Sequence, residues 1–380
     1  MKFNTKVIHG NQKNEETTGA VMPPVFFTST YAQTSPGKPI GNFEYSRSAN
    51  PTRQALENAL ASIENGTRGL VFSSGMAATD CLLRLFKPGD EIIVTDDLYG
   101  GTYRLFTRLY KDSGIKFHFI NINDLAKFQS LINENTKLVW VETPTNPLMK
   151  LADIAEIAKI TKKHHLLFAV DNTFATPYLQ KPLDLGADIV MHSATKYLGG
   201  HSDVIAGALV IKDKVLGDEL HFKQFATGGI LGPMDSFLIL RGIKTLHLRV
   251  QRHCENGMKV AVFLSNHPEV DKVYYPGLPN HPHHDIAKKQ MSGFGGMVSF
   301  TFKSGKMQDA ISFLENVKVF TLAESLGGVE SLANLPTLMA HASIPAEKRV
   351  EIGITDDLVR LSVGVEDIDD LLADLEQAFR

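Results

Sequence analysis

Cysteine is scarce in this chain. There are two, Cys81 and Cys254, among 380 residues. Neither sits in a C-x-x-C pair and both fall in helix-like text, which argues against a disulfide framework. Charge of one sign is also lacking: 39 Lys and Arg face 42 Asp and Glu, a net −3. No nucleic-acid footprint or membrane-surface patch is therefore expected. No apolar run is long enough to span a bilayer. The start, MKFNTKVIHG, has no apolar core of a secretory signal, so a cytoplasmic location is expected. Several signature loops are missing too. No G-x-G-x-x-G follows the first strand, and neither G-x-x-x-x-G-K-[ST] nor G-x-S-x-G occurs, which argues against dinucleotide, P-loop and hydrolase chemistry. There is no internal repeat and no low-complexity tract.

What is present is an alternation. Residues 1–50 show little periodicity, carry prolines and glycines throughout, and are expected to be an arm lying on a neighbouring subunit. PTRQALENALASIENG then places Leu56, Leu60 and Ile63 on one helical face, with Gly66 as a stop. Seven strand-like runs come next: GLVFSS, EIIVTD, KFHFIN, KLVWVET, LLFAVDN, DIVMHS and AGALVI. Helical stretches such as MAATDCLLRLF, GTYRLFTRLYKD, DLAKFQSLINE and DIAEIAKITKKH lie between them. This predicts an α/β domain over 51–245, a large, mostly parallel sheet covered on both faces. Beyond it, over 246–380, a long helical stretch, the strand-like runs GMVSFTF, KVFTLAE and VRLSVG, and a closing helix predict a smaller α+β domain. That closing helix has Ile368, Leu371, Leu372, Leu375 and Phe379 on one face.

Buried parallel sheets bind ligands at the carboxyl ends of their strands. Those ends read SSGMAA, DDLYGG, ETPTNP, DNTFATP and SATKYLGG. SSGMAATD could offer free N–H groups to an anion, although taken alone it reads more simply as an ordinary N-cap. Asp171 closes an apolar run and needs a partner there. An Asx-turn or cap would satisfy it, and so would a cationic ring nitrogen; the residue alone leaves both open. Lys196 is the strongest signal. Held in a tight, partly desolvated loop, a lysine loses proton affinity and can condense with an aldehyde. Ser193 and Thr195 supply hydroxyls beside it, and Gly199-Gly200 allow close backbone approach. Together these parts meet the needs of pyridoxal 5′-phosphate: a lysine for the aldehyde, an acid for the ring nitrogen, an anion cradle for the phosphate and an aromatic plate. Tyr99 is the candidate plate. Three histidines in NHPHHD suggest a metal, but they sit in a Pro-rich loop with no second cluster; a surface loop and no structural zinc are expected.

The segment VDNTFATPYLQKPLDLGADIVMHSATKYLGGHSDV resembles the cofactor-lysine segment of the Cys/Met-metabolism family of pyridoxal-phosphate enzymes. EYSRSANPTR, SSGMAA, DDLYGGTYRLF, ETPTNP, TLAESLGGVESL and VRLSVGVED are similar too, so the likeness runs over nearly the whole chain. It implies the large α/β fold of aspartate-aminotransferase type, a fold type I enzyme with a seven-stranded sheet and a smaller C-terminal domain. It implies homotetramers built as dimers of dimers with shared active sites. Tyr45 and Arg47 would then reach into the neighbour's site and hold its phosphate, an arginine suiting phosphate through paired donors. Gly75 and Met76 would give it backbone N–H groups. Asn146 would contact the ring oxygen, Arg360 would grip the substrate's α-carboxylate, and Ser325 would orient Lys196 or that carboxylate. Lys196 would act as base once released, with Tyr99 assisting proton transfer.

The resemblance also implies small amino-acid substrates. Glu324 and Arg104 resemble the pair that binds the distal end of cystathionine or the distal carboxylate of a succinyl ester. Gly101 stands where methionine-cleaving members carry cysteine, and Leu326 where β-eliminating members carry an aromatic. Two reactions are left: γ-elimination from cystathionine, which is favoured, and γ-replacement of an O-acylhomoserine by cysteine.

Overall fold

The computed structural model describes all residues, Met1–Arg380. The seven apolar runs form one sheet: β1 (Arg68–Phe72), β2 (Glu91–Thr95), β3 (Lys116–Ile120), β4 (Thr136–Glu142), β5 (Leu167–Asp171), β6 (Ile189–Ser193) and β7 (Gly207–Ile211). Their order is β1-β7-β6-β5-β4-β2-β3. All neighbours are parallel except β7, which runs antiparallel to both β1 and β6. Leu138, Val139, Trp140 and Val141 of β4 are wholly buried, because helices cover both faces of the sheet. Register aligns the strand ends. Glu142 pairs with Asp171, and Asp171 with Met191, so β4 and β5 end in acids at one level.

The first fifty residues, expected as an arm on a neighbouring subunit, also touch their own chain. They open with a helix, α1 (Phe3–His9), docked on this same chain. Val7 is buried against α2 (Pro51–Glu64), and Lys6 Nζ donates to Asn65 Oδ1 at 2.6 Å. Seven residues were too few for a periodic signal to show. From Asn11 to Ala49 the chain is mostly exposed, with one short hairpin, Gln33–Ser35 against Lys38–Pro39. Asn50 ends this segment and starts α2: its side chain accepts from the amides of Thr52 and Arg53, and Pro51 takes the first helical position.

Two further helices lead from the strands toward the ligand side, α3 (Gly75–Leu83) and α4 (Gly100–Arg104). The long helix expected from GTYRLFTRLYKD is instead α4 followed by a π-helical turn at Leu105–Leu109. Helix α5 (Ile154–Lys163) is as expected; Asp153 caps it, and Ile154, Ile157 and Ala158 are buried.

A second, five-stranded sheet holds β8 (Val270–Tyr274), β9 (Met297–Phe302), β10 (Thr321–Leu322), β11 (Leu332–Asn334) and β12 (Val359–Ser362), in the order β8-β9-β12-β11-β10. KVFTLAE yields only the two-residue β10, and β11 was not foreseen: both are too short, and too close to glycines, to carry a pattern. Helix α6 (Leu246–Asn266) joins the two units. Leu246 and Val250 lie in the core of the large unit, whereas Val260, Ala261 and Leu264 lie in that of the small one. The closing helix α7 (Ile368–Ala378) buries Leu371 and Leu375, with Phe379 packed on Phe313 at 4.7 Å between centroids. No helix is long and apolar enough to cross a membrane.

The histidine loop is not the surface loop expected. His281 is buried, His283 Nδ1 accepts the Leu151 amide at 3.0 Å, and His284 Nδ1 meets the Pro276 carbonyl at 2.8 Å. These rings replace backbone partners in an irregular stretch, which is what a buried loop requires.

Asn50 also donates to the Phe26 carbonyl, so it ties the arm to α2 as well as capping it. Asn50→Ala is expected to cost about 1 kcal/mol or somewhat more, the usual range for a lost N-cap. Urea melts with an unchanged slope and a lower midpoint would show it.

Candidate active site

The carboxyl ends of the strands open into a cavity of about 920 Å³. Every site residue expected from the sequence lines it except Tyr45 and Arg47. Those two lie on the arm: Arg47 Nη1 donates to the Phe225 carbonyl at 2.8 Å, and its guanidinium sits 5.7 Å from the Tyr45 ring centre.

Lys196 follows β6 in a tight turn. Its Nζ donates to Ser325 Oγ at 2.7 Å, so a lysine from the large sheet meets a loop of the small one. Burial, with the Arg360 charge adding to it, lowers the Lys196 amine to about 8 from its ordinary 10.5. Ser325 itself has φ 89°, a left-handed conformation rare for serine and held here by its neighbours. In the Gly199-Gly200 pair the second glycine allows close approach to a protein group. Gly200 has φ +74°, and a Cβ there would run into the Arg249 guanidinium. Arg249, which the sequence pattern does not single out, is buried and donates to the carbonyls of Tyr197 (2.7 Å) and Gly242 (2.8 Å), fixing the lysine turn from behind.

Asp171 meets the first of its two readings and leaves room for the second. Its Oδ1 accepts from the Thr173 amide at 3.0 Å and the Thr173 hydroxyl at 2.6 Å, an Asx-turn. Oδ2 takes no hydrogen bond from the protein and is left to the cavity. Burial pushes this carboxyl up, and the Thr173 bonds oppose the rise. A cationic N–H is the partner such a site wants. Thr173 Oγ1 also accepts the Ser193 amide at 2.8 Å, linking β5 to the cradle strand.

The anion cradle is formed where α3 begins. Ser74 Oγ accepts the Ala77 amide at 3.1 Å, leaving the Gly75 and Met76 amides at the helix N-terminus without intrahelical partners. Ser193 stands beside them, its Cβ region within 3.2 Å of where a Gly75 side chain would begin. Thr195 Oγ1 is engaged with Ala206, donating to its carbonyl at 3.1 Å and accepting its amide at 3.0 Å.

Tyr99 opens α4, half exposed over the cavity. Its ring folds over Gly101, where a Cβ would collide with it. Asn146 lies in a loop with cis Thr143–Pro144 and Asn146–Pro147 peptides. Its Oδ1 accepts from Arg360 Nη1 at 2.9 Å. Arg360, on β12, also donates through Nη2 to the Ser325 carbonyl at 2.8 Å, while its buried Nε has no partner. Burial lowers its guanidinium to about 10. At the mouth, Arg104 and Glu324 are exposed and neither forms an ion pair within the chain.

These groups fit pyridoxal 5′-phosphate. There is an amine for an aldehyde, a carboxylate oxygen with no donor, a pair of helix-start amides, a ring over the cavity and a buried arginine donor left unpaired. Comparison decides the family. Residues 4–380 match the family described as Cys/Met metabolism PLP-dependent enzyme. The chain belongs to that family, and its cofactor is pyridoxal 5′-phosphate. Cystathionine gamma-lyase of Bacillus subtilis is 54% identical over 378 residues, covering 100% of this chain and 99% of that one. Cystathionine beta-lyase of Coxiella burnetii is 53% identical, covering 99% and 97%. Cystathionine gamma-synthase of Mycobacterium leprae is 51% identical, covering 98% and 96%. Among solved structures, cystathionine gamma-lyase from Lactobacillus plantarum complexed with L-serine has a TM-score of 0.97 at 50% identity, covering 100% of this chain and 98% of that one. The protein is therefore a fold type I member whose relatives act in cystathionine metabolism. The three names stand at nearly equal similarity, so the use of Leu326 to set β-lyases aside gains no support from them.

Two groups of the site escaped the sequence reading. Glu142 lines the cavity, and Asp97 sits behind it, pushed up to about 6 by burial. Glu142 ends an apolar run, as Asp171 does, and the same argument would have found it; Asp97 stands two places past the end of β2.

Condensation with an aldehyde needs the neutral amine. Uptake of pyridoxal 5′-phosphate by the cofactor-free protein should quicken as pH rises and level off above about 8, the value to which Lys196 is lowered. Stopped-flow absorbance measures this. A rate still climbing tenfold per pH unit beyond 9 would contradict it.

Proposed function

We propose that the protein catalyses γ-elimination from L-cystathionine, giving L-cysteine, 2-oxobutanoate and ammonia, with slower β-elimination releasing hydrogen sulfide from cysteine as a side reaction. The supporting observation is the distribution of charge in the cavity. Arg360 lies deep, next to Lys196, and Arg104 and Glu324 stand unpaired at the mouth. Cystathionine has an amino-acid group at each end. One carboxylate suits Arg360; the distal carboxylate and ammonium suit Arg104 and Glu324. An acylated homoserine has no distal ammonium and would leave Glu324 unused.

Pyridoxal 5′-phosphate supplies an aldehyde that takes the substrate amine in place of Lys196, and a ring that draws electrons from the substrate carbons. The residues do the rest. Asp171 Oδ2 would keep the ring nitrogen protonated. The Gly75 and Met76 amides and the Ser193 hydroxyl would hold the phosphate, with Thr195 lining the same cradle. Tyr99 would serve as the plate for the ring, and Asn146 would meet its oxygen. Lys196 Nζ, once free, takes the α-proton; the lowered proton affinity leaves a useful share of neutral amine near pH 8. Ser325 Oγ orients that amine, and Tyr99 assists transfer of the later β-proton.

γ-Replacement of an O-acylhomoserine by cysteine is the second reading, favoured by the 51% identity to a cystathionine gamma-synthase. Product analysis separates the possibilities. Cystathionine alone should yield 2-oxobutanoate and cysteine. Pyruvate and homocysteine would mean β-elimination; turnover only with an acylated homoserine and cysteine would mean the synthase. Arg104→Ala should raise KM for cystathionine about tenfold through loss of a charge-assisted contact, with KM for cysteine little changed.

We further propose a cytoplasmic homotetramer, a dimer of dimers with shared sites. The arm exposes Val21, Phe27 and Ile40 at 82%, 70% and 62%, an apolar display that a second copy would cover. Tyr45 and Arg47 would then serve the neighbour's phosphate. Arg47→Ala should weaken cofactor retention during dialysis, and mixing it with a Lys196→Ala variant should restore part of the activity through hybrid sites. Unchanged retention would count against sharing.

A further inference from the structure

Glu142 has no part in the proposed chemistry, yet it is buried in the wall of the same cavity. Its two oxygens are used separately. Oε2 accepts the Tyr99 amide at 2.9 Å and Oε1 accepts the Asn146 amide at 3.0 Å. One carboxyl therefore clamps two loops, one after β2 and one after β4. Register places it beside Asp171 on the neighbouring strand. An acid in such a place is costly to bury, the more so next to another acid. Two backbone donors offset that cost, and an apolar side chain would leave both amides without an acceptor, so one reason for the carboxyl is structural; a second has to lie in what the two loops carry.

The connections beyond the carboxyl give that second reason. Asn146, whose amide Glu142 holds, offers Oδ1 to Arg360 Nη1 at 2.9 Å. Arg360 Nη2 reaches the Ser325 carbonyl at 2.8 Å, and Ser325 Oγ accepts from Lys196 Nζ at 2.7 Å. His341 Nε2 meets the Asn146 carbonyl at 2.9 Å and supports the same residue from the far side. Through its other oxygen, Glu142 fixes the backbone from which the Tyr99 ring hangs.

We propose that Glu142 is a positioning residue that sets the ring of Tyr99 and the guanidinium of Arg360 against one another, so that the cofactor plate and the carboxylate grip are held in a single geometry. The proposal rests on the reading that Arg360 binds the substrate's α-carboxylate, but not on which elimination or replacement the enzyme carries out. It requires no proton transfer by Glu142.

The test is Glu142→Gln in the cofactor-loaded protein. The carboxamide keeps the shape but opposes an N–H to one of the two amide donors. Glycine is the probe, since it has the α-carboxylate and no leaving group. We expect its Kd, read from the visible spectrum, to rise about tenfold, the scale of one lost positioning hydrogen bond. The visible circular dichroism of the bound cofactor should also weaken, as the plate loosens. A variant with a lower Tm but unaltered glycine affinity and dichroism would overturn the proposal, leaving Glu142 a structural residue only. Arg360→Ala is the companion. If it leaves glycine binding intact, the reading of Arg360 has failed; if it weakens binding and Glu142→Gln does not, only the positioning role of Glu142 has. Hydrogen exchange on the unaltered holoprotein covers the case of poor folding. Glycine should slow exchange in the segments 97–102 and 143–148 together; protection of one without the other would count against a shared clamp.

Discussion

The hydrogen bond from Lys196 Nζ to Ser325 Oγ is the constraint on which the site rests. The lysine comes from the large sheet and the serine from a loop of the small one. Their contact exists only if both units are packed in one arrangement, and Ser325 accepts an unfavourable φ to make it. The same packing brings Arg360, on the central strand of the small sheet, within reach of Asn146 in the loop after β4 of the large one. A cationic guanidinium and a buried amine placed close together disfavour a second charge, and this adds to desolvation in making the lysine a weaker base.

The sheet ends collect acids as well as bases. Asp97, Glu142 and Asp171 stand at the ends of three strands that lie side by side, and burial raises all three. Each is handled differently. Asp97 accepts from the Thr145 hydroxyl at 2.5 Å, Glu142 from two amides, and Asp171 from Thr173 on one oxygen only. Asp97 and Asp171 each keep one oxygen without a hydrogen-bond donor, but only Asp171 lines the cavity, so its oxygen is the one open to a cationic ring. An unsatisfied carboxylate oxygen on a cavity wall is something a fold normally avoids, and here it belongs to the acid that lines the ligand space.

Much of this was legible in the residues. Seven near-continuous apolar runs pointed to the large sheet, because a strand buried on both faces has no polar side to hide it. The strand ends pointed to Lys196 and Asp171, because a charge after an apolar run is conspicuous. Roles for Asn146, Arg360 and Ser325 came only from the family likeness; nothing in an isolated PTNP or VRLS says which distant group it meets. Arg249 was illegible for the same reason, since its targets are carbonyls of residues 197 and 242 and no side-chain pattern records them. Helix α1 and strand β11 were missed through brevity, β10 came out shorter than its run KVFTLAE, and β8, only half-apolar, was not singled out. The histidine loop was misjudged because polar residues suggest solvent, whereas here they stand in for missing backbone partners.

Helix α6 has a consequence for how the molecule comes apart. At 1.5 Å per residue its 21 residues make a rod about 31 Å long. One end is embedded beneath the lysine turn and the other beneath the small sheet. Neither half can melt without stripping the other's share of the rod, so heat should take the chain through a single cooperative collapse.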